Sequence, residues 1–189
     1  MKNHVFIRFL WLILLSTFIV VSCKSSESTV ESRQALNELE AILNSKNFKI
    51  DVNTVLPFNT AATTQVLNQL MRNTGNTANH ISVSGYDITF KNDSISGQLP
   101  YYGEQQISSG NYNGRLGIEF NDIPQDFSMT KHKNKDAYII KFNIDDIENT
   151  SENLRIIITL FSNKATNINV TTSYRTNIGY RGQLVDIEE

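Results

Sequence analysis

The chain has 189 residues, with 17 basic against 19 acidic side chains, a net charge of −2 and a single cysteine. That length suits one domain with a sizeable core. The charges lie without blocks, so there is no basic patch of the kind that displaces counterions from phosphates, and nucleic acid is not an expected partner. One cysteine excludes a disulfide within the chain, and stability must come from packing.

Lys2 and Arg8 precede an apolar run over residues 9–21 that is interrupted only by Ser16 and Thr17. At about 1.5 Å per helical residue the run reaches roughly 20 Å, short of the roughly 30 Å of a bilayer core. A positive start, a short apolar stretch and small residues before a cut describe a signal peptide. Val20, Val21, Ser22 and Cys23 resemble a lipobox, after which bacterial lipoproteins have the cysteine sulfur alkylated by diacylglycerol and the chain cleaved before it. Residues 1–22 are therefore expected to be removed, leaving Cys23 as a lipid-carrying first residue and the membrane as a partner through that lipid. Lys24, rather than an aspartate, follows it. By resemblance this argues for the outer membrane of a bacterial envelope, facing either the periplasm or the surface.

Residues 23–31 read as a polar, Ser-rich tether with too little apolar surface to order itself. Residues 32–189 read as a single β-rich domain. Leu36, Leu39, Ile42 and Leu43 share one helical face while Glu38, Glu40 and Asn44 occupy the others. This predicts an amphipathic helix, ending near residues 44–47, whose stripe packs on the domain's own sheet. Phe48, Ile50 and Val52 then alternate with Lys49, Asp51 and Asn53, a half-buried strand that Pro57 ends. Over residues 60–79, Val66, Leu67, Leu70 and Met71 would share one side of a short helix, and a long loop around Gly75 is the alternative.

Short strands and turns follow. Ile81 and Val83 lead to Gly85, Ile88 and Phe90 lead to Asn92 and Asp93, and Ile95 runs on toward Leu99. Leu116, Ile118 and Phe120 alternate with polar residues before Pro124. Residues 127–132 are expected to join the strand of Tyr138, Ile140, Phe142 and Ile144 through a tight turn at Asn134 and Lys135. Leu154, Ile156, Ile158 and Leu160 form one face of the next strand, which turns at Asn163 and Lys164 into Ile168 and Val170, and residues 178–187 close the chain. The fold class is mainly β with one N-terminal helix (α+β), an antiparallel sandwich or open barrel of short hairpins.

At Pro100 the missing N–H puts the strand through Leu99 at an edge or ends it there. Tyr101 and Tyr102 then face opposite ways, one ring to the core and one to the surface. Two readings stand: a corner locked by a buried tyrosine, or a ligand-binding mouth made by Tyr101, Tyr102, Glu104 and the loop to Arg115.

The motif Leu-Pro-Tyr-Tyr-Gly-Glu-Gln-Gln at residues 99–106, the Gly-Ile-Glu-Phe run at 117–120, and Tyr174 and Arg175 leading to Ile-Gly-Tyr-Arg-Gly at 178–182 resemble an uncharacterised lipoprotein family common in Bacteroidetes, domain of unknown function 4251. The likeness spans roughly residues 33–185, with Glu104 standing where many relatives carry an arginine. It implies an envelope location and a single β-rich domain, and it implies no reaction, cofactor or ligand.

No catalytic residue and no metal ligand set emerges from the residues themselves. G-x-S-x-G, P-loop, H-E-x-x-H and G-x-G-x-x-G motifs are missing. His80 and His132 are far apart in sequence and read as surface residues. Asp145, Asp146, Glu148 and Glu152 lack EF-hand spacing and are expected to form a solvated hairpin connection. Arg175 is the charged residue most expected to be paired structurally. The sequence thus points to a non-enzymatic envelope lipoprotein that needs no cofactor and binds a protein or glycan. The alternative is a lipocalin-like carrier of a small hydrophobic ligand, with a hydrolase third.

Overall fold

The computed structural model describes residues 30–106, 117–185 and 187. Cys23 and Arg115 lie outside these residues. The elements run α1 (Val30–Asn44), β1 (Asn47–Pro57), α2 (Ala61–Leu70), β2 (Ile81–Lys91), β3 (Ser94–Pro100), β4 (Gly117–Asp122), β5 (Gln125–Lys131), β6 (Ala137–Asp145), β7 (Asn153–Phe161), β8 (Ala165–Thr172) and β9 (Ile178–Val185). The nine strands form one sheet in the order β4-β3-β2-β1-β9-β8-β7-β6-β5, and every pairing is antiparallel.

The sheet curls into a half-barrel. β4 and β6 stand near opposite ends of the strand order, yet the Phe120 and Phe142 rings are 6.4 Å apart and the Ile147 N–H donates to Glu119 O at 2.8 Å. Alternation explains the core, because successive side chains of a strand point to opposite faces. Ile50, Ile88, Ile118, Ile140, Ile156, Ile158 and Ile168 therefore meet inside while their neighbours face out. Of the two architectures expected, the open barrel is the one formed.

α1 crosses one end of this sheet. Its stripe of Leu36, Leu39 and Leu43 is buried in the common core. Ser32 Oγ donates to Asp136 just before β6, and Leu43 borders the same space as Phe48 and Phe90 of β1 and β2. α2 forms within the stretch for which the sequence allowed either helix or loop. Thr60 Oγ1 caps its N-terminus by accepting from Thr63 N–H, and none of its residues is buried.

One expectation is corrected. The residues around Gly85 do not separate two strands but lie within the single strand β2, where Gly85 takes a φ of 80°. Opposite it, β1 shifts register between Val52 and Thr54 against both β2 and β9. Against β2 the extra residues lie on β2, around Gly85, and against β9 the extra residue lies on β1, so both pairings bulge at the same level and the sheet bends there. Nearby, a Cβ on Gly182 would sit 2.2 Å from Asp51 O. Gly182→Ala is therefore expected to lose about 1–3 kcal/mol, read as a lower urea midpoint; an unchanged midpoint would contradict this close packing.

Candidate functional site

The end of the sheet away from α1 is tied by a buried charge cluster. Arg175 Nε and Nη2 donate to the two oxygens of Glu152 at 2.9 and 2.7 Å. Nη2 also reaches Asp146 Oδ2 at 3.3 Å, and Nη1 donates to Gly117 O at 2.7 Å. The guanidinium carbon lies 4.9 Å from the centre of the Tyr101 ring, within cation–π range. Arg175, Glu152 and Asp146 are all buried. The acidic connection after β6 is thus not solvated as expected: two of its carboxylates are drawn inside because a guanidinium waits there. Asp146 also organises its own loop, accepting from the Glu148 and Asn149 N–H groups at 3.0 and 3.1 Å.

The residues singled out beside Pro100 join this corner. Tyr101 is buried and its hydroxyl donates to Thr176 O at 2.9 Å. Tyr102 is 43% exposed, so the two rings do face opposite ways. Glu104 accepts from Thr63 Oγ1 at 2.7 Å, and its N–H donates to Thr176 Oγ1 at 3.0 Å. β3 ends at Pro100 without being an edge, since β4 pairs along it. Tyr180, fully buried, donates to Pro100 O at 3.0 Å.

Burial pushes the Tyr180 phenol well above its ordinary value. It also raises Tyr101, against the opposing Thr176 hydrogen bond and Arg175 charge. Tyr138 is pushed up to about 12, by burial first and then by its hydrogen bond to Glu40. These phenols hold their protons more tightly in the folded chain than in the unfolded one, where tyrosine titrates near about 10. Their contribution is complete below about pH 10 and is lost as pH rises through the folded values. The urea midpoint is expected to fall between about pH 10 and 12, and to fall less steeply in Tyr138→Phe. Identical slopes in the two proteins would contradict the assignment to Tyr138.

A different place offers room for a ligand. At the α1 end, β4 leaves the sheet at Ile123 and Pro124, and the chain re-enters as β5, which pairs with β6. Pro124 has no N–H for a ladder. Asp126 takes a φ of 52° and the β5–β6 register shifts between Gln125 and Ser128. Between this bend and the first strands lies a cleft of ≈ 300 Å³, open to solvent on one side. Its walls are Leu43, Phe48, Phe90, Ile95, Met129 and Ile140, with Ile123, Pro124 and Phe127 on the bend side and Lys46, Asn92 and Asp93 as its polar members. Phe48 and Phe90 stack at 4.3 Å and an interplanar angle of 17°, which gives one wall a flat aromatic surface. Ile123 and Phe127 remain 67% and 43% exposed.

Sequence reasoning missed this cavity because its walls read as ordinary strand positions. The signal present was Pro124 closely followed by Phe127, an apolar group placed where a chain must leave a ladder. Among the described residues no cluster of His, Cys, Asp and Glu is arranged to hold a metal ion, and no helix is long and apolar enough to cross a membrane.

An antiparallel half-barrel capped by a helix, with a mostly apolar open cleft at its seam and a buried ion-pair corner at its far end, makes this a β-rich domain. The chain belongs to the family described as Domain of unknown function (DUF4251), whose profile matches residues 30–184. No curated protein and no solved structure matches it.

Proposed function

We propose that this protein is a lipid-anchored, non-enzymatic binding module of a bacterial outer membrane that takes an apolar guest, an acyl chain, into the seam cavity. The observation carrying this reading is the chamber of ≈ 300 Å³ walled by Leu43, Phe48, Phe90, Ile95, Met129 and Ile140. Its size is at the lower end of ligand pockets, which are about 300–1,000 Å³ and mostly apolar. The cleft is mostly apolar with a few polar groups at its rim, the usual make-up of a small-ligand site.

Met129→Trp fills the chamber and tests this reading. Binding of a fluorescent long-chain fatty acid is expected to weaken at least about tenfold, because the lost burial exceeds about 1.4 kcal/mol. Unchanged affinity in a folded Met129→Trp protein would overturn the reading. A second reading, docking of a protein partner, is favoured by the exposed Phe58, Val66, Leu70 and Tyr102, since exposed apolar groups mark interaction sites when they form a patch.

A further inference from the structure

We infer that the guest is a lysophospholipid, a single-chain lipid with a zwitterionic head, whose phosphate pairs with Lys46 and whose ammonium pairs with Asp93. The inference rests on the reading of the cavity as an acyl-chain site and adds the chemistry of the head. The polar members of the lining are Lys46, Asn92 and Asp93. Lys46 Nζ and Asp93 Oδ1 are 2.8 Å apart, with side chains 54% and 76% exposed. The ion pair is therefore in water, and such pairs are weak and exchange readily.

The backbone under the pair is held in place. Lys46 and Asn92 both take positive φ, 51° and 56°, and Asn92 N–H donates to Lys46 O at 2.8 Å. The end of α1 and the β2–β3 turn thus present one cation and one anion side by side at the rim of an apolar chamber. A ligand carrying only a carboxylate would take Lys46 from Asp93 and set its own negative charge beside that aspartate. A purely cationic ligand would meet the reverse conflict at Lys46. A head carrying phosphate and ammonium together exchanges one ion pair for two and leaves no like charges in contact. The phosphate adds strong acceptor oxygens for the Lys46 ammonium. A chamber at the lower end of the ligand-pocket range suits one acyl chain rather than two.

The test is native mass spectrometry of the full chain, carried in digitonin, whose rigid steroid body brings no alkyl chain to compete, and offered equal concentrations of dodecylphosphocholine, dodecanoate, dodecyltrimethylammonium and dodecanol. Dodecylphosphocholine is expected to bind tightest, by up to about fivefold for each ion pair it gains. In Lys46→Gln/Asp93→Asn, both changes lying on exposed side chains, the four ligands are expected to bind within about twofold of one another. Dodecanoate binding as tightly as dodecylphosphocholine, or a preference unchanged in the double variant, would overturn the head assignment. The cavity reading would survive that result if all four ligands still lost affinity in Met129→Trp. No retention of any of the four would overturn both.

Discussion

Replacing Arg175 by methionine is expected to destabilise the fold by about 3–5 kcal/mol, the usual effect of removing one partner from a buried ion pair. The guanidinium makes two bonds to Glu152, which is 0% exposed, and reaches Asp146, which is 3% exposed. Methionine fills a similar volume, so the loss is electrostatic rather than a cavity effect. It leaves two carboxylates in a low-dielectric site without the cation that drew them in. It also removes the donor to Gly117 O and the cation–π contact with Tyr101, so the corner should loosen as a unit. Adding Glu152→Gln to Arg175→Met should recover part of the loss, because the two positions share one network and their effects cannot add. Lys46→Gln at the exposed pair with Asp93 should leave the urea midpoint close to that of the unchanged protein. Urea unfolding of the four proteins checks the series. An Arg175→Met midpoint equal to that of Lys46→Gln would contradict the placement of the guanidinium inside the corner.

Cys23→Ser is expected to abolish incorporation of labelled palmitate and move the protein from the membrane fraction to the soluble fraction. Each buried methylene contributes about 0.8 kcal/mol, so two or more acyl chains anchor almost irreversibly, and losing them is close to all or none. Serine cannot form the thioether on which the lipidation chemistry depends. Membrane fractionation with acyl labelling reads the outcome. A serine variant that remained labelled and sedimented with membranes would remove the anchor from the account and leave the cavity to be explained alone.

Much of the scaffold is legible because it rests on local periodicity. Leu36, Leu39 and Leu43 repeat at helical spacing and are buried together. Tyr138, Ile140, Phe142 and Ile144 alternate as a strand and point inward. Arg175 is recognisable as a residue in need of a partner. Its partners are not recognisable, because Asp146 and Glu152 look like any hydrophilic connection until the fold places a cation beside them. Gly85 illustrates the same limit in the backbone: a glycine that reads as a turn is a bulge inside β2, matched to the register shift in β1. The seam cavity is the least legible feature. It depends on the curl that brings β4 beside β6, a contact between ends of a nine-stranded order, and no local pattern encodes that curvature.

An acyl chain held in the seam would lie between the β4–β5 bend and the first strands. Photocrosslinking with a diazirine-bearing acyl chain, followed by peptide mapping, tests it most directly. Labels are expected on Leu43, Phe90, Ile95, Phe127 and Met129, and are expected to be lost in Met129→Trp. Labels concentrated on Phe58, Val66 and Leu70, with the seam residues unmarked, would contradict it.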